Sequence, residues 1–201
     1  HKKNGYNKKL FEIIPNGYFI SKSKKFKRNL KKYEGIYKIC MIARWHPQKD
    51  FENLFQSLSF LKINKVNFHL TLAGSKIESN NFELINLIKK YNLIKYCSLL
   101  GEVDELDDIY SNSHISILSS AYGEGFPNVL VESMLNYTPC ISTDVGDAAL
   151  ILSNVGYIVP IKNSKALANA LIENYEVLIN KHEKYLLKCL HGFDKAISNY
   201  D

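Results

Sequence analysis

One feature of this sequence limits its fold more than any other: short β-rich runs alternate with longer stretches in which apolar residues recur every three or four positions. The first run is Tyr37-Lys38-Ile39-Cys40-Met41-Ile42-Ala43. It is followed by a stretch in which Phe51, Leu54, Phe55, Leu58 and Leu61 share one helical face. The pattern repeats as Phe68–Ala73 with Phe82–Tyr91, Cys97–Leu100 with Leu106–Tyr110, His114–Leu118 with Asn128–Leu135, then Cys140–Ser142. A last strand at Tyr157–Val159 precedes a helix from Ser164 to about Ile179, and residues 182–201 read as a terminal helix. Because β-helix-β crossovers are right-handed and place helices over the sheet, the expected fold is α/β, a Rossmann-like parallel sheet with helices on both faces. Ligands of such sheets bind beyond the carboxyl ends of the strands, so the loops after Ala43, Ala73, Leu100 and Leu118 are expected to wall the site.

At 201 residues the chain is one domain or at most one and a half, short of the ~350 residues of a complete two-domain enzyme. With 46% hydrophobic residues, 10 Gly and 5 Pro it can build a core, which excludes disordered and collagen-like classes. No apolar run approaches the ~18 residues of a membrane span. Ala148-Ala149-Leu150-Ile151-Leu152, among the best, is only of strand length, and a soluble, cytoplasmic protein is expected. The net charge of +6 is uneven: residues 1–40 carry 12 Lys/Arg against Glu12 and Glu34, and the remainder of the chain is net acidic. Lys22, Lys24, Lys25, Lys27, Arg28, Lys31 and Lys32 read as a solvated loop or as a patch for anionic membrane, with peripheral attachment as the consequence. Nucleic acid is disfavoured, since no recognition motif accompanies the charge. Cys40, Cys97, Cys140 and Cys189 lack metal-ligand spacing and read as reduced thiols, so no metal site is expected. The histidines, in no base arrangement, read as structural or solvated. The chain begins at His1 rather than Met, which suggests a fragment.

Two loops carry chemistry. After the first strand, Arg44-Trp45-His46-Pro47-Gln48-Lys49-Asp50 offers a guanidinium and an ammonium for a diphosphate, with Asp50 placed to cap the next helix. After Leu118 comes Ser119-Ser120-Ala121-Tyr122-Gly123-Glu124-Gly125-Phe126-Pro127-Asn128-Val129-Leu130-Val131-Glu132. Pro127 suits a first helical residue, so the backbone N–H groups of Asn128 to Leu130 are expected to face a phosphate. Glu132, a turn into the helix, is at a suitable depth for ribose hydroxyls, and Glu124 stands where a sugar would lie. Gly74 and Gly101-Glu102 after the next strands are small enough to let a ring approach the backbone.

These residues, with Ile14-Pro15-Asn16-Gly17, Leu72-Ala73-Gly74, Leu100-Gly101, Thr143-Asp144-Val145-Gly146-Asp147 and Val155-Gly156-Tyr157-Ile158-Val159-Pro160, run in the order of a known family. The chain resembles the C-terminal, nucleotide-sugar-binding half of GT-B glycosyltransferases of family 4, bacterial enzymes that build capsule, lipopolysaccharide and related polysaccharides. The resemblance implies a diphosphate clamp of Arg44 and Lys49, a catalytic carboxylate at Glu124 near the donor sugar, and a ribose ligand at Glu132. It also implies that Gly125, Phe126, Pro127, Asn128, Val129 and Leu130 hold the donor, and that Gly101 and Glu102 border its base. It implies a retaining, metal-independent hexosyltransferase using a UDP- or GDP-linked sugar, with no other cofactor, and a glycan or lipid-linked acceptor. On this reading residues 1–35 are an interdomain arm, 36–180 the donor-binding domain and 181–201 a C-terminal helix. The acceptor domain is absent, so the isolated chain is expected to be inactive. Two departures from the family stand out: Ser133 replaces Ala, and Asn136 replaces the Gly expected in the left-handed position at the helix end. A nucleotide-sugar 2-epimerase or a non-catalytic nucleotide-binding module would use the same donor ligands.

Overall fold

The computed structural model describes residues 32–200 together with Gly17. Most of the basic arm lies outside these residues, as do Ile14, Pro15 and Asn16; Lys32 is exposed. Six strands, β1 (Tyr37–Ile42), β2 (Phe68–Ala73), β3 (Cys97–Leu99), β4 (Ile115–Leu118), β5 (Cys140–Thr143) and β6 (Tyr157–Val159), form one parallel sheet in the order β3-β2-β1-β4-β5-β6. Ile39 of β1 pairs with Leu70 on one side and Ile115 on the other, so β1 lies in the interior of the sheet. This is the Rossmann strand order, and its direction of winding reverses between β1 and β4.

The expected cover is present on both faces. Tyr37, Ile39 and Met41 point with Phe68, Leu70 and Leu72 into a core shared with α1 (Phe51–Ile63), α2 (Phe82–Lys90) and α6 (Ser164–Asn180). Cys40, Ile42 and Ala73 turn the other way, against Tyr110 of α3 (Asp107–Ser111). Leu118 and Cys140 meet α4 (Asn128–Leu135) and α5 (Ala148–Leu152). Burial on both sides explains why β1 reads as a near-continuous apolar run, and each fully buried large aliphatic side chain contributes ~1.5–3 kcal/mol. The terminal helix α7 (His182–Tyr200) joins this body: Tyr185, Leu186 and Cys189 enter the first cluster, Ala196 and Tyr200 the second. The Tyr137 ring stacks on Phe193 with centroids 4.0 Å apart. Among the described residues no helix is long and apolar enough to cross a membrane.

The run Ala148 to Leu152 is helical: Ala148, Ile151 and Leu152 are buried while Leu150 is 70% exposed, a three-and-four spacing that five consecutive apolar residues conceal. Two local expectations need correction. Pro127 is the N-cap of α4, with ψ of 94°, rather than its first helical residue. Asn136 does not take the left-handed position after α4, where its φ is −103°; Tyr137 does, at +56°. Asn136 is instead held by its amide, which donates to the Glu132 carbonyl and to Asp107 Oδ1, both at 2.9 Å. Ser133 has a use for its hydroxyl, which donates to the Thr138 carbonyl at 3.0 Å across the turn into β5. Cys40, Cys140 and Cys189 are buried and Cys97 is half-buried. Burial pushes the Cys97 thiol up to about 12, away from reactivity.

Candidate functional site

The winding reverses between β1 and β4, and at the carboxyl ends of these strands, where sheets of this kind bind ligands, the loops leaving the two strands meet. The first loop is rigid for local reasons. Trp45 N–H donates to the Ser75 carbonyl at 2.8 Å, and Pro47–Lys49 form one 3-10 turn whose Gln48 N–H donates to His46 Nδ1 at 3.2 Å. Asp50 then takes a left-handed conformation, φ +46°, which aspartate tolerates better than most residues. Its carboxylate accepts from Asn53 N–H at 3.2 Å and caps α1 as expected. Burial raises the pKa of Asp50 against that hydrogen bond.

The second loop is fastened to the first. Ser119 Oγ donates to the Lys49 carbonyl at 2.7 Å, and Ala121 N–H to the Gln48 carbonyl at 2.8 Å. Across this seam Lys49 Nζ and Ser120 Oγ both donate to Glu124 Oε1, each at 2.6 Å. Arg44 is exposed and joins through Gln48, whose Oε1 accepts from its guanidinium at 3.4 Å. The Gln48 side chain also lies beside Gly123, 3.3 Å from where a Cβ would stand. Arg44, Lys49 and Glu124 are thus one connected cluster.

The turn leading into α4 is braced from behind by the loop after β5. Asp147 N–H donates to the Gly125 carbonyl at 2.9 Å, and Thr143 Oγ1 to the Ser120 carbonyl at 2.6 Å. Gly146, at φ +51°, comes so close that a Cβ there would be 2.2 Å from the Gly125 oxygen and 2.5 Å from that of Glu124. Phe126 is fixed by an edge contact to the Tyr200 ring, with centroids 5.4 Å apart. Asn128 is exposed at the first turn of α4, Val129 is half-buried, and Leu130 is a core residue. The expected row of three phosphate-facing N–H groups shortens, because Leu130 N–H donates to the Pro127 carbonyl at 3.1 Å. This follows from Pro127 standing at the cap, where its carbonyl is available to the first turn.

Glu132 is separate from the cluster. It is held from α3 by Tyr110, whose hydroxyl donates to Oε2 at 3.2 Å. Burial raises the pKa of Glu132 and the nearby Asp107 raises it further, while the Tyr110 hydrogen bond lowers it. Gly101 and Glu102 leave β3, two strands from β1 and so ~10 Å along the sheet edge at the usual spacing. Glu102 is exposed, whereas Gly101 is buried at φ +69° beside Glu78. Gly74 does not make room for a ring. At φ +134° a Cβ there would be 2.5 Å from the Ala43 carbonyl, so the space is filled by the chain's own backbone.

The motif reading gives no role to Ser120, Gln48, Tyr110, Thr143 or Gly146, although all but Tyr110 stand within the motifs it quotes. Ser120 stands four residues before Glu124 in the same loop, a spacing that could have found it; Tyr110 pairs with Glu132 only through tertiary structure. Three histidines have structural partners: His46 caps, His69 Nε2 meets Ser98 Oγ at 2.8 Å, and buried His114 accepts from Lys38 N–H at 3.0 Å.

Comparison with known proteins gives this geometry its family. The profile of the family described as glycosyl transferases group 1 matches residues 22–185. The chain is 25% identical over 178 residues to the amylovoran biosynthesis glycosyltransferase AmsD of Erwinia amylovora, covering 83% of this chain and 49% of that protein. It is also 25% identical over 197 residues to N-acetyl-alpha-D-glucosaminyl L-malate synthase of Bacillus anthracis, covering 91% and 51% respectively. It therefore spans about half the length of these relatives. Among solved structures, Anabaena HepE in complex with UDP-glucose superimposes with a TM-score of 0.79 at 19% identity, over 100% of this chain and 56% of that one. A glycosyltransferase from Rickettsia africae gives 0.74 at 22%, over 84% and 45%. On the profile match, with the sheet order of a GT-B half, the chain belongs to the group 1 glycosyltransferases.

Proposed function

We propose that this chain is the donor-binding half of a family 4, retaining, metal-independent hexosyltransferase that moves a sugar from a nucleoside diphosphate to a glycan or lipid-linked glycan. The observation that carries the reading is the cluster at the switch point, where Lys49 meets Glu124 at 2.6 Å beside the start of α4, with Arg44 tied in through Gln48. HepE, solved with UDP-glucose, supports a uridine or similar donor. Curated relatives of polysaccharide biosynthesis support a glycan product.

On this reading the nucleoside lies along the sheet edge from Gly101 and Glu102 toward Glu132, whose free oxygen accepts from ribose hydroxyls. The diphosphate meets Arg44, Lys49 and the first turn of α4. Breaking the bond from the anomeric carbon to oxygen leaves the electron pair on the diphosphate, which gains negative charge. The acceptor oxygen forms the new bond on the same face, and its proton passes to the departing phosphate. The two cations and the helix terminus stabilise that charge, the work a divalent ion does elsewhere. Glu124 orients the donor sugar by accepting from its hydroxyls. The acceptor binds a second domain.

Thermal shift with UDP, GDP, ADP and their sugars tests the binding step, since a ligand of the folded state raises Tm. In the full protein Lys49→Ala is expected to lower turnover ~10²-fold, the usual loss for one such electrostatic donor. Unchanged turnover would overturn the role of Lys49. Products formed with and without acceptor distinguish transfer from epimerisation.

A further inference from the structure

We infer that Ser120 is a positioning residue that fixes Glu124 for the donor sugar while Lys49 is engaged by the phosphates; this rests on the donor-site reading above. Glu124 Oε1 accepts two hydrogen bonds of equal length, 2.6 Å from Lys49 Nζ and 2.6 Å from Ser120 Oγ. The two donors are unlike in everything but distance. Lys49 is at the end of a flexible stem, its side chain 15% exposed, and its charge is what a diphosphate attracts. Ser120 is fully buried on the rigid segment leaving β4. Its backbone is pinned from below by Thr143 Oγ1, which donates to its carbonyl at 2.6 Å, and its neighbour Ser119 is bonded to the Lys49 carbonyl at 2.7 Å.

A diphosphate arriving beside Lys49 divides that ammonium between two anions. An ionised carboxylate that loses part of its cation next to phosphate charge is pushed away from them unless something else holds it. The Ser120 hydroxyl can hold it, because its one proton is already committed to Oε1 and its position does not depend on the ligand. Oε2 accepts nothing from the described residues and is left to receive a sugar hydroxyl. Ser120 therefore acts on the sugar half of the donor and leaves the diphosphate half to the cations and the helix.

The experiment measures Kd for UDP and UDP-glucose, and for GDP and GDP-mannose, by titration calorimetry on the full chain and on Ser120→Ala and Ser120→Thr. The quantity read is the ratio of the sugar-nucleotide Kd to the nucleotide Kd, which cancels effects on folding or on phosphate binding. In Ser120→Ala the ratio is expected to rise ~10-fold, the loss of one hydrogen bond to a charged group, with the nucleotide Kd changed less than ~2-fold. Ser120→Thr keeps the hydroxyl and is expected to stay within ~3-fold of the parent ratio. An unchanged ratio in Ser120→Ala overturns the proposal, as does a parallel loss of both ligands, which marks a merely structural serine. Parent protein that binds none of the four ligands overturns the donor-site reading itself, a result separate from either.

Discussion

Glu124 and Glu132 stand eight residues apart in one motif, yet they are held in opposite ways. Glu124 lies in a turn, paired with an ammonium and a serine hydroxyl from two loops that are themselves bonded together. Glu132 lies on a helix, half-buried, facing a tyrosine hydroxyl with no cation of the described residues paired with it. The first carboxylate has its charge compensated and its geometry set by loops; the second is costly to ionise and is set by packing. On the proposed donor-site reading, the difference suits a sugar hydroxyl network that is rebuilt in each turnover and a ribose contact that stays constant.

The sharpest way to break the contrast is at the brace behind Glu124. Gly146→Ala places a methyl 2.2 Å from the Gly125 carbonyl oxygen at a φ of +51°, where any side chain also costs ~1–2 kcal/mol. The turn must move, and sugar-nucleotide turnover in the full protein is expected to fall by at least ~10²-fold. Gly125→Ala is the control, since no atom of the described residues, its chain neighbours aside, lies within 4 Å of its Cβ position. It is expected to leave Tm within ~1 °C of the parent, so any loss of donor affinity, read by calorimetry, reports the ligand itself. Equal Tm losses in the two variants would show that the turn is not braced as described.

Glu132 can be tested through stability and binding in opposite directions. Its pKa is raised in the folded state, so below the ordinary carboxylate range both folded and unfolded chains are neutral there and it contributes no pH dependence. As pH rises through that range the unfolded chain ionises freely while the folded one does so at a cost, complete above the raised value. Glu132→Gln is therefore expected to raise Tm at pH 7, the gain shrinking toward pH 4, while weakening nucleotide binding ~10-fold. A variant that loses both stability and binding would make Glu132 a structural residue.

The sheet and most element boundaries were legible because parallel strands buried on both faces write long apolar runs, and amphipathic helices write a face. Phe68–Ala73, Asn128–Leu135 and Tyr157–Val159 are found where the pattern puts them. The motif residues Lys49 and Glu124 were legible as types, but their meeting depends on a strand order that no local pattern encodes. The same limit hid the roles of Tyr110, Thr143 and Gly146, each of which meets a residue far away in sequence. Pro127 was misplaced by one position because a proline suits both the cap and the first turn. Tyr137 was missed in the left-handed position because tyrosine has no preference for it.

The mildest test, Tyr110→Phe, separates the hydroxyl from the packing that surrounds it. The ring is fully buried against Cys40, Ile42 and Ala73, so retaining it keeps the third core cluster filled. Removing the hydroxyl takes away the interaction that lowers the pKa of Glu132, leaving burial and Asp107 to raise it further. If Glu132 holds the ribose as proposed, the ionised carboxylate is the better acceptor for its hydroxyls, so nucleotide affinity falls as pH drops through that pKa. The acidic limb of the binding profile is therefore expected to move to higher pH in Tyr110→Phe, with a loss of only ~3-fold on the alkaline plateau of the profile. A uniform loss across the whole range would show that the tyrosine supports the helix rather than the carboxylate, and a profile that coincides with the parent's would remove Glu132 from the nucleotide site.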